Sequence, residues 1–247
     1  MIKLERSAPP AELTEAKVQE LTNLYMTNGS NVWNKPYIKA ALLAFSFGKC
    51  CYCECKVDEI ASYMEVEHFY PKKIYPEKVV EWENLLPSCK RCNGTKTNHD
   101  TGLEPILNPT IDIPNEHLYL KAFRFYGKTE LGKMTIKVVD LNDRARKLTE
   151  KRFQIGDKIA KNLEEIFETL NEDISESSRE KNKIKNTMLI LLQESQPTVE
   201  YSATSATVLF SPENHFSEIK QRMEELNIWD EELELLESTA ASITLFS

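Results

Sequence analysis

The 247 residues allow one large domain or two modest ones, and an apolar content of 41% suffices to bury a core. No apolar run reaches the roughly eighteen residues of a bilayer span, and the start MIKLERSAPPAE lacks a signal peptide's apolar stretch, so a cytoplasmic protein with no membrane partner is expected. The net charge of −8 excludes wrapping nucleic acid with the whole surface, but residues 151–247, with 10 basic against 19 acidic side chains, carry the deficit, so a polyanion would meet the N-terminal half.

Residues 1–48 read as N-terminal helices. Leu13, Ala16, Val18, Leu21, Leu24 and Tyr25 recur at helical spacing until Asn28-Gly29, and a second helix is expected with Asn34 as its cap, Pro36 in its first turn and Gly48 at its end. Residues 49–105 are short-elemented, rich in cysteine and turn signals, with one strand-like stretch from Tyr63 to Phe69. Residues 106–140 predict a β-hairpin extension from two runs, Leu118 to Tyr126 and Met134 to Val139, joined by a glycine-containing turn. Residues 141–247 form an acidic helical C-terminal region. It opens with a long amphipathic face of Leu148, Phe153, Ile159, Leu163, Ile166, Phe167 and Leu170, and further helices are expected over Arg179 to Glu194 and His215 to Leu226. Asn171 to Glu180 reads as a flexible linker, and the acidic end as a solvated helix face.

All six cysteines fall between positions 50 and 92. Cys50-x2-Cys53 and Cys89-x2-Cys92 supply two chelating pairs whose thiolates can converge on one tetrahedral ion. Four sulfurs leave no open coordination position, so the expected zinc is structural, and Cys51 and Cys55 stay outside its shell. The rival reading, a redox-active CxxC, needs one exposed motif beside a thioredoxin-like βαβ pattern.

Between and beyond these pairs run Glu65-Val66-Glu67-His68-Phe69-Tyr70-Pro71, then Trp82-Glu83-Asn84-Leu85-Leu86-Pro87, then Cys89-Lys-Arg-Cys92-Asn93-Gly94-Thr95-Lys96. This arrangement resembles the HNH endonucleases. The resemblance implies an α+β fold: a ββα-metal (HNH, His-Me finger) core with its structural four-cysteine zinc, embedded in a mainly helical protein. A neutral imidazole can take a proton from water near neutral pH, which makes His68 the natural general base. By the same resemblance Glu67 and Asn93 are the ligands of one catalytic Mg2+ or Mn2+, and Asn84 organises the intervening loop. Position 67 is Glu where the family commonly has Asp, and position 93 is Asn where the eponymous His stands. His99 lies six residues beyond Asn93, off the same helical face, and Glu65 reads equally as a supporting group or as the strand's polar face. Lys90, Arg91 and Lys96, with Lys72 and Lys73, are placed to grip phosphates without reading bases.

GKCCYCECK, EVEHFYPK, WENLLPSCKRCNGTK, ILNPTIDIPNEHL and LNDRARKLTEKR, over roughly residues 40 to 155, look like the PtuB nucleases of Septu and retron anti-phage systems. That resemblance implies an effector working with a PtuA-like ATPase of the ABC/SMC type, cutting DNA by preference, with RNA or tRNA as the other substrate. The competing expectation is a catalytically silent, zinc-stabilised adaptor that binds nucleic acid or a partner.

Overall fold

Helix α1, Glu15–Asn28, begins where Thr14 accepts from the Lys17 amide at 3.3 Å and ends at Gly29, whose φ of 70° is the left-handed stop that glycine takes without strain. Helix α2, Pro36–Phe45, buries Ile38, Leu42 and Phe45; its cap residue is Lys35, which makes no side-chain capping bond, rather than Asn34. Strand β1, Met64–His68, pairs antiparallel with β2, Leu85–Cys89, in a register that sets Met64 opposite Cys89 and His68 opposite Leu85. Helix α3, Lys90–Lys96, follows β2 directly, and both α2 and α3 pack on the strand pair. A computed structural model provides this description for residues 1–57, 63–145 and 147–247. Residues 58–62, inside the expected nuclease core, and Arg146, inside the expected C-terminal helical region, lie outside the described residues.

The chain divides into two units. The first comprises Met1–Leu118 and Tyr126–Leu141, the second Tyr119–Phe125 and Asn142–Ser247. In the first, the N-terminal segment is stitched to the strand pair. The Arg6 guanidinium donates to the carbonyls of Trp82 and Leu85 at 2.6 and 2.8 Å and lies over the rings of Phe45 and Trp82, while Trp82 Nε1 donates to the Ser7 carbonyl at 2.8 Å. These bonds hold the lead-in to β2.

The short helix α4, Pro114–His117, precedes strands β3, Leu118–Lys121, and β4, Arg124–Gly127, and helix α5 follows at Glu130–Val138. The expected hairpin partner at Met134 to Val139 is therefore mostly helix. The run Leu118 to Tyr126 folds back on itself instead, at Ala122 and Phe123, both with positive φ. Thr135, Ile136 and Val138 carry the β signal, but Thr129 caps α5 by accepting from the Gly132 amide at 3.2 Å, and buried Thr135 accepts from the Leu107 amide at 2.8 Å, so a cap and a tertiary bond override β propensity.

The second unit consists of the hairpin tip and α6, Leu148–Leu170; α7, Ser178–Glu194; α8, Ser202–Leu209; α9, Phe216–Glu225; and α10, Glu231–Ala241. Its core gathers Ile159, Leu163, Ile166, Met188, Leu191, Ile219, Met223 and Leu233. Phe153, expected on the buried face of α6, is 50% exposed. The expected linker 171–180 instead sinks Ile174 into this core and ends in the first turn of α7, capped by Ser177. Helix α8 carries no apolar stripe; it is buried because Ser, Thr and Ala are small enough to pack closely, and Thr207 satisfies its own hydroxyl on the Ala203 carbonyl at 2.6 Å. Part of the acidic end is internally paired, since Lys220 binds Glu234 at 2.8 Å and Glu237 at 2.6 Å. Among the described residues no helix is long and apolar enough to cross a membrane.

Candidate active site

The first cysteine pair sits in a tight knuckle after α2. Gly48 and Glu54 take left-handed φ values of 66° and 64°, the Cys50 amide donates to the Cys55 carbonyl at 2.9 Å, and the Glu54 amide to the Cys50 carbonyl at 3.0 Å. The second pair spans the junction of β2 and α3, where Cys89 is also the cap of α3 and accepts from the Cys92 amide at 3.4 Å. The sulfurs of Cys50, Cys53, Cys89 and Cys92 are buried and lie within 4.8 Å of one another. A tetrahedral shell with Zn–S bonds of about 2.3 Å spaces its sulfurs about 3.8 Å apart, and Cys53 Sγ to Cys89 Sγ measures 3.8 Å. The four thiols thus fit one metal ion of zinc's size. Cys51 is buried nearby and tied through its amide to the Pro87 carbonyl at 2.9 Å, while half-buried Cys55 brings its sulfur to 3.4 Å from that of Cys53.

Strand alternation puts Glu65 and Glu67 on one face of β1, and α3 lays Asn93 and Lys96, one turn apart, against that face. Asn93 Nδ2 donates to Glu65 Oε2 at 2.7 Å, which leaves the Asn93 amide oxygen as a free ligand atom. Lys96 Nζ lies 2.6 Å from Glu67 Oε1 and donates to the His68 carbonyl at 2.9 Å. Glu67 is 1% exposed; burial pushes its carboxyl up to about 7, against the opposing pull of Lys96 and Lys72. Three oxygen-bearing side chains on one face suit a hard cation, which at Glu67 would meet the ammonium of Lys96.

The His68 ring leaves the strand on the other face. Its Nε2 is 2.9 Å from the Val79 carbonyl, and since a carbonyl only accepts, the proton resides on Nε2 and Nδ1 is the basic nitrogen. Burial, aided by the neighbouring charge of Lys72, depresses the imidazole to about 3, so the ring is neutral at ordinary pH. No hydrogen bond joins His68 to Asn93; one binds Val79, the other Glu65. Asn84, buried, holds the loop between the strands: it accepts from the Tyr70 amide at 2.6 Å and donates to the carbonyls of Tyr70 and Lys78 at 3.1 and 2.9 Å.

The HNH endonuclease family model matches residues 50–99, a span that begins at Cys50 and contains β1, β2 and α3. Over 243 residues the chain is 46% identical to the Septu protein PtuB of Bacillus thuringiensis, covering 97% of this chain and 93% of the relative. The chain belongs to the PtuB family. A second Septu protein PtuB, from Bacillus mycoides (strain KBAB4), is 33% identical over 209 residues, 66% of this chain and 68% of that one. Like the HNH family whose domain it carries, this PtuB family member is an endonuclease.

The structure moves one expected cation and supplies partners for two further residues. Lys96, expected beside a phosphate, is 1% exposed and paired with Glu67, whereas Lys90 and Arg91 at the start of α3, and Lys73, are exposed to an approaching polyanion. Glu65, read with no preference, is the residue that Asn93 binds. His99 turns to the Glu104 carbonyl at 2.7 Å. Trp33, from the loop between α1 and α2, stands against His68 with no motif to announce it. The period of two from Glu65 to Glu67 and of three from Asn93 to Lys96 is the signal that pairs strand with helix.

Asn84→Ala removes three side-chain hydrogen bonds and leaves the part-buried amide and carbonyl of Tyr70 without partners, while the Lys78 carbonyl keeps only the Glu81 amide at 3.3 Å. It is expected to destabilise the first unit by about 2–4 kcal/mol, read as a lower urea midpoint in its unfolding transition; an unchanged midpoint would remove Asn84 from the loop's support.

Proposed function

We propose that this endonuclease hydrolyses phosphodiester bonds of nucleic acid, duplex DNA before RNA or tRNA, as the cytoplasmic effector of a prokaryotic anti-phage defence system with a PtuA-like ATPase partner. The observation that carries the chemistry is the His68–Val79 bond, which holds the proton on Nε2 and keeps Nδ1 ready to accept one from water. Water loses its proton to Nδ1 as its oxygen attacks phosphorus, and the P–O bond to the leaving strand breaks. Glu67 and Asn93 supply oxygen ligands for one Mg2+ or Mn2+, which when bound neutralises charge developing on the phosphate. Cys50, Cys53, Cys89 and Cys92 hold a structural zinc that fixes the knuckle against the start of α3. Lys90 and Arg91 meet the backbone of the nucleic acid without reading its sequence. Asn84 keeps the loop closed behind His68.

The Lys96–Glu67 pair favours a second reading, since an ammonium already occupies the arm assigned to the catalytic cation. On that reading the chain is a zinc-stabilised adaptor that binds nucleic acid or its ATPase without turnover. Labelled duplex DNA, single strands and tRNA, incubated with Mg2+ or Mn2+ and with or without the ATPase, separate the two. Cleavage of the duplex, abolished by EDTA, is the expected result; tight binding with no cleavage of any substrate supports the adaptor.

A further inference from the structure

His68 and Lys72 are four residues apart and meet one ring. The imidazole stands edge-on to the Trp33 indole, with centroids 5.0 Å apart and planes at 89°, and Lys72 Nζ lies 4.5 Å from the indole centroid. Tyr25, on α1, supports the arrangement: its ring meets Trp33 edge-on at 5.8 Å, and its hydroxyl donates to the Lys72 carbonyl at 3.4 Å. The N-terminal helices thus brace two residues of the HNH segment from outside it.

Lys72 is half-buried. Its charge acts on Glu65, Glu67, Lys73, Lys96 and His68, yet among the described residues it forms no ion pair. Lys96, by contrast, is spent on Glu67. A partly desolvated ammonium whose only close partner is an aromatic face retains three donors for an incoming anion. Its charge thus acts on both the carboxylates of β1 and the imidazole.

We propose that Lys72 is a catalytic residue, its ammonium contacting a non-bridging oxygen of the scissile phosphodiester, and that Trp33 is a positioning residue that aligns Lys72 with the His68 ring. This inference rests on the reading of His68 as general base. As water attacks, its proton passes to His68 Nδ1 and the phosphodiester monoanion gains a second negative charge. An ammonium already beside it binds that state more tightly than the substrate, and such differential binding raises kcat more than it lowers KM. When the P–O bond breaks, the leaving oxygen takes a proton from solvent; Lys72 keeps its own throughout.

The test is steady-state cleavage of a labelled duplex by the full chain with Mg2+ and its ATPase, comparing Lys72→Met, Lys72→Arg, Trp33→Ala and Trp33→Phe. Lys72→Met should lower kcat by about 10²–10³-fold with KM within about threefold, and Lys72→Arg should recover part of the loss. Trp33→Ala should lower kcat by about tenfold or more, and Trp33→Phe, which keeps an aromatic face, should restore most of it. A Lys72→Met variant with raised KM and unchanged kcat would make Lys72 an ordinary backbone contact and overturn the proposal. So would Trp33→Ala with unchanged kcat. If Trp33→Ala fails to fold, as circular dichroism would show, Trp33→Phe and the two Lys72 variants still decide. His68→Ala separates the layers: full activity there defeats the general-base reading itself, whereas its loss beside an unimpaired Lys72→Met defeats only this inference.

Discussion

Cys92→Ser is expected to strip the four-sulfur site of its metal and unfold the first unit while the second stays helical. The cysteine knuckle comes before β1 and the other pair closes the turn from β2 into α3, so an ion shared by the four sulfurs would tie together segments more than thirty residues apart. Helix α3 has only 7 residues, too few to persist on its own propensity, and its cap is a metal-site sulfur. Structural zinc contributes about 10–16 kcal/mol in small domains, as much as the whole stability of a typical fold, about 5–15 kcal/mol. Elemental analysis should fall from one bound ion per chain to none. Thermal melting followed by circular dichroism should lose the transition of the first unit and retain that of the second, which has its own apolar core. Chelation of the intact protein should reproduce both changes, and Cys51→Ser, outside the shell, should keep the ion. Full metal content in Cys92→Ser would refute the tetrathiolate site.

His68→Ala should lower the cleavage rate by about 10²–10⁴-fold with the metal content intact. No neighbour can take over, because Glu67 leaves β1 on the opposite face and is engaged by Lys96. The truncation also deprives the Val79 carbonyl of its donor and opens space beside Trp33, a cost of about 1–3 kcal/mol, so the rates should be compared well below the melting temperature of the variant. Supercoiled plasmid nicking under single-turnover conditions reads the chemical step. Equal rates for variant and parent would remove His68 from the mechanism.

The sulfur site and the strand that carries Glu67 and His68 were legible because their constraints are local in sequence. CxxC spacing fixes a knuckle, and the run from Tyr63 to Phe69 alternates as a strand must. Asn84 was legible as a loop organiser through family resemblance alone. Lys96 was misplaced because a lysine one turn after Asn93 looks the same in sequence whether it meets solvent or a buried carboxylate; only the docking of α3 on β1 distinguishes them. Trp33 was silent for the same reason, its role arising from a contact made across thirty-five residues. Helix α8 escaped because SATSATVL has no apolar period, and α5 read as strand because β-branched residues dominate its second half while its cap lies outside that half.

The backbone passes between the two units three times, at 118/119, 125/126 and 141/142. The hairpin tip is bedded in the second unit: the Leu120 amide donates to the Leu245 carbonyl at 2.9 Å, Phe125 exchanges bonds with Asn142, and Phe123 fits against Gly156. Cutting the chain after residue 141 would therefore not yield a clean catalytic fragment; it would leave an orphaned loop bearing Phe123 and Phe125 as a sticky apolar finger. A minimal, soluble nuclease would have to exchange that loop for a two-residue turn such as Asn-Gly, so that one excision removes both strands of the interleaving.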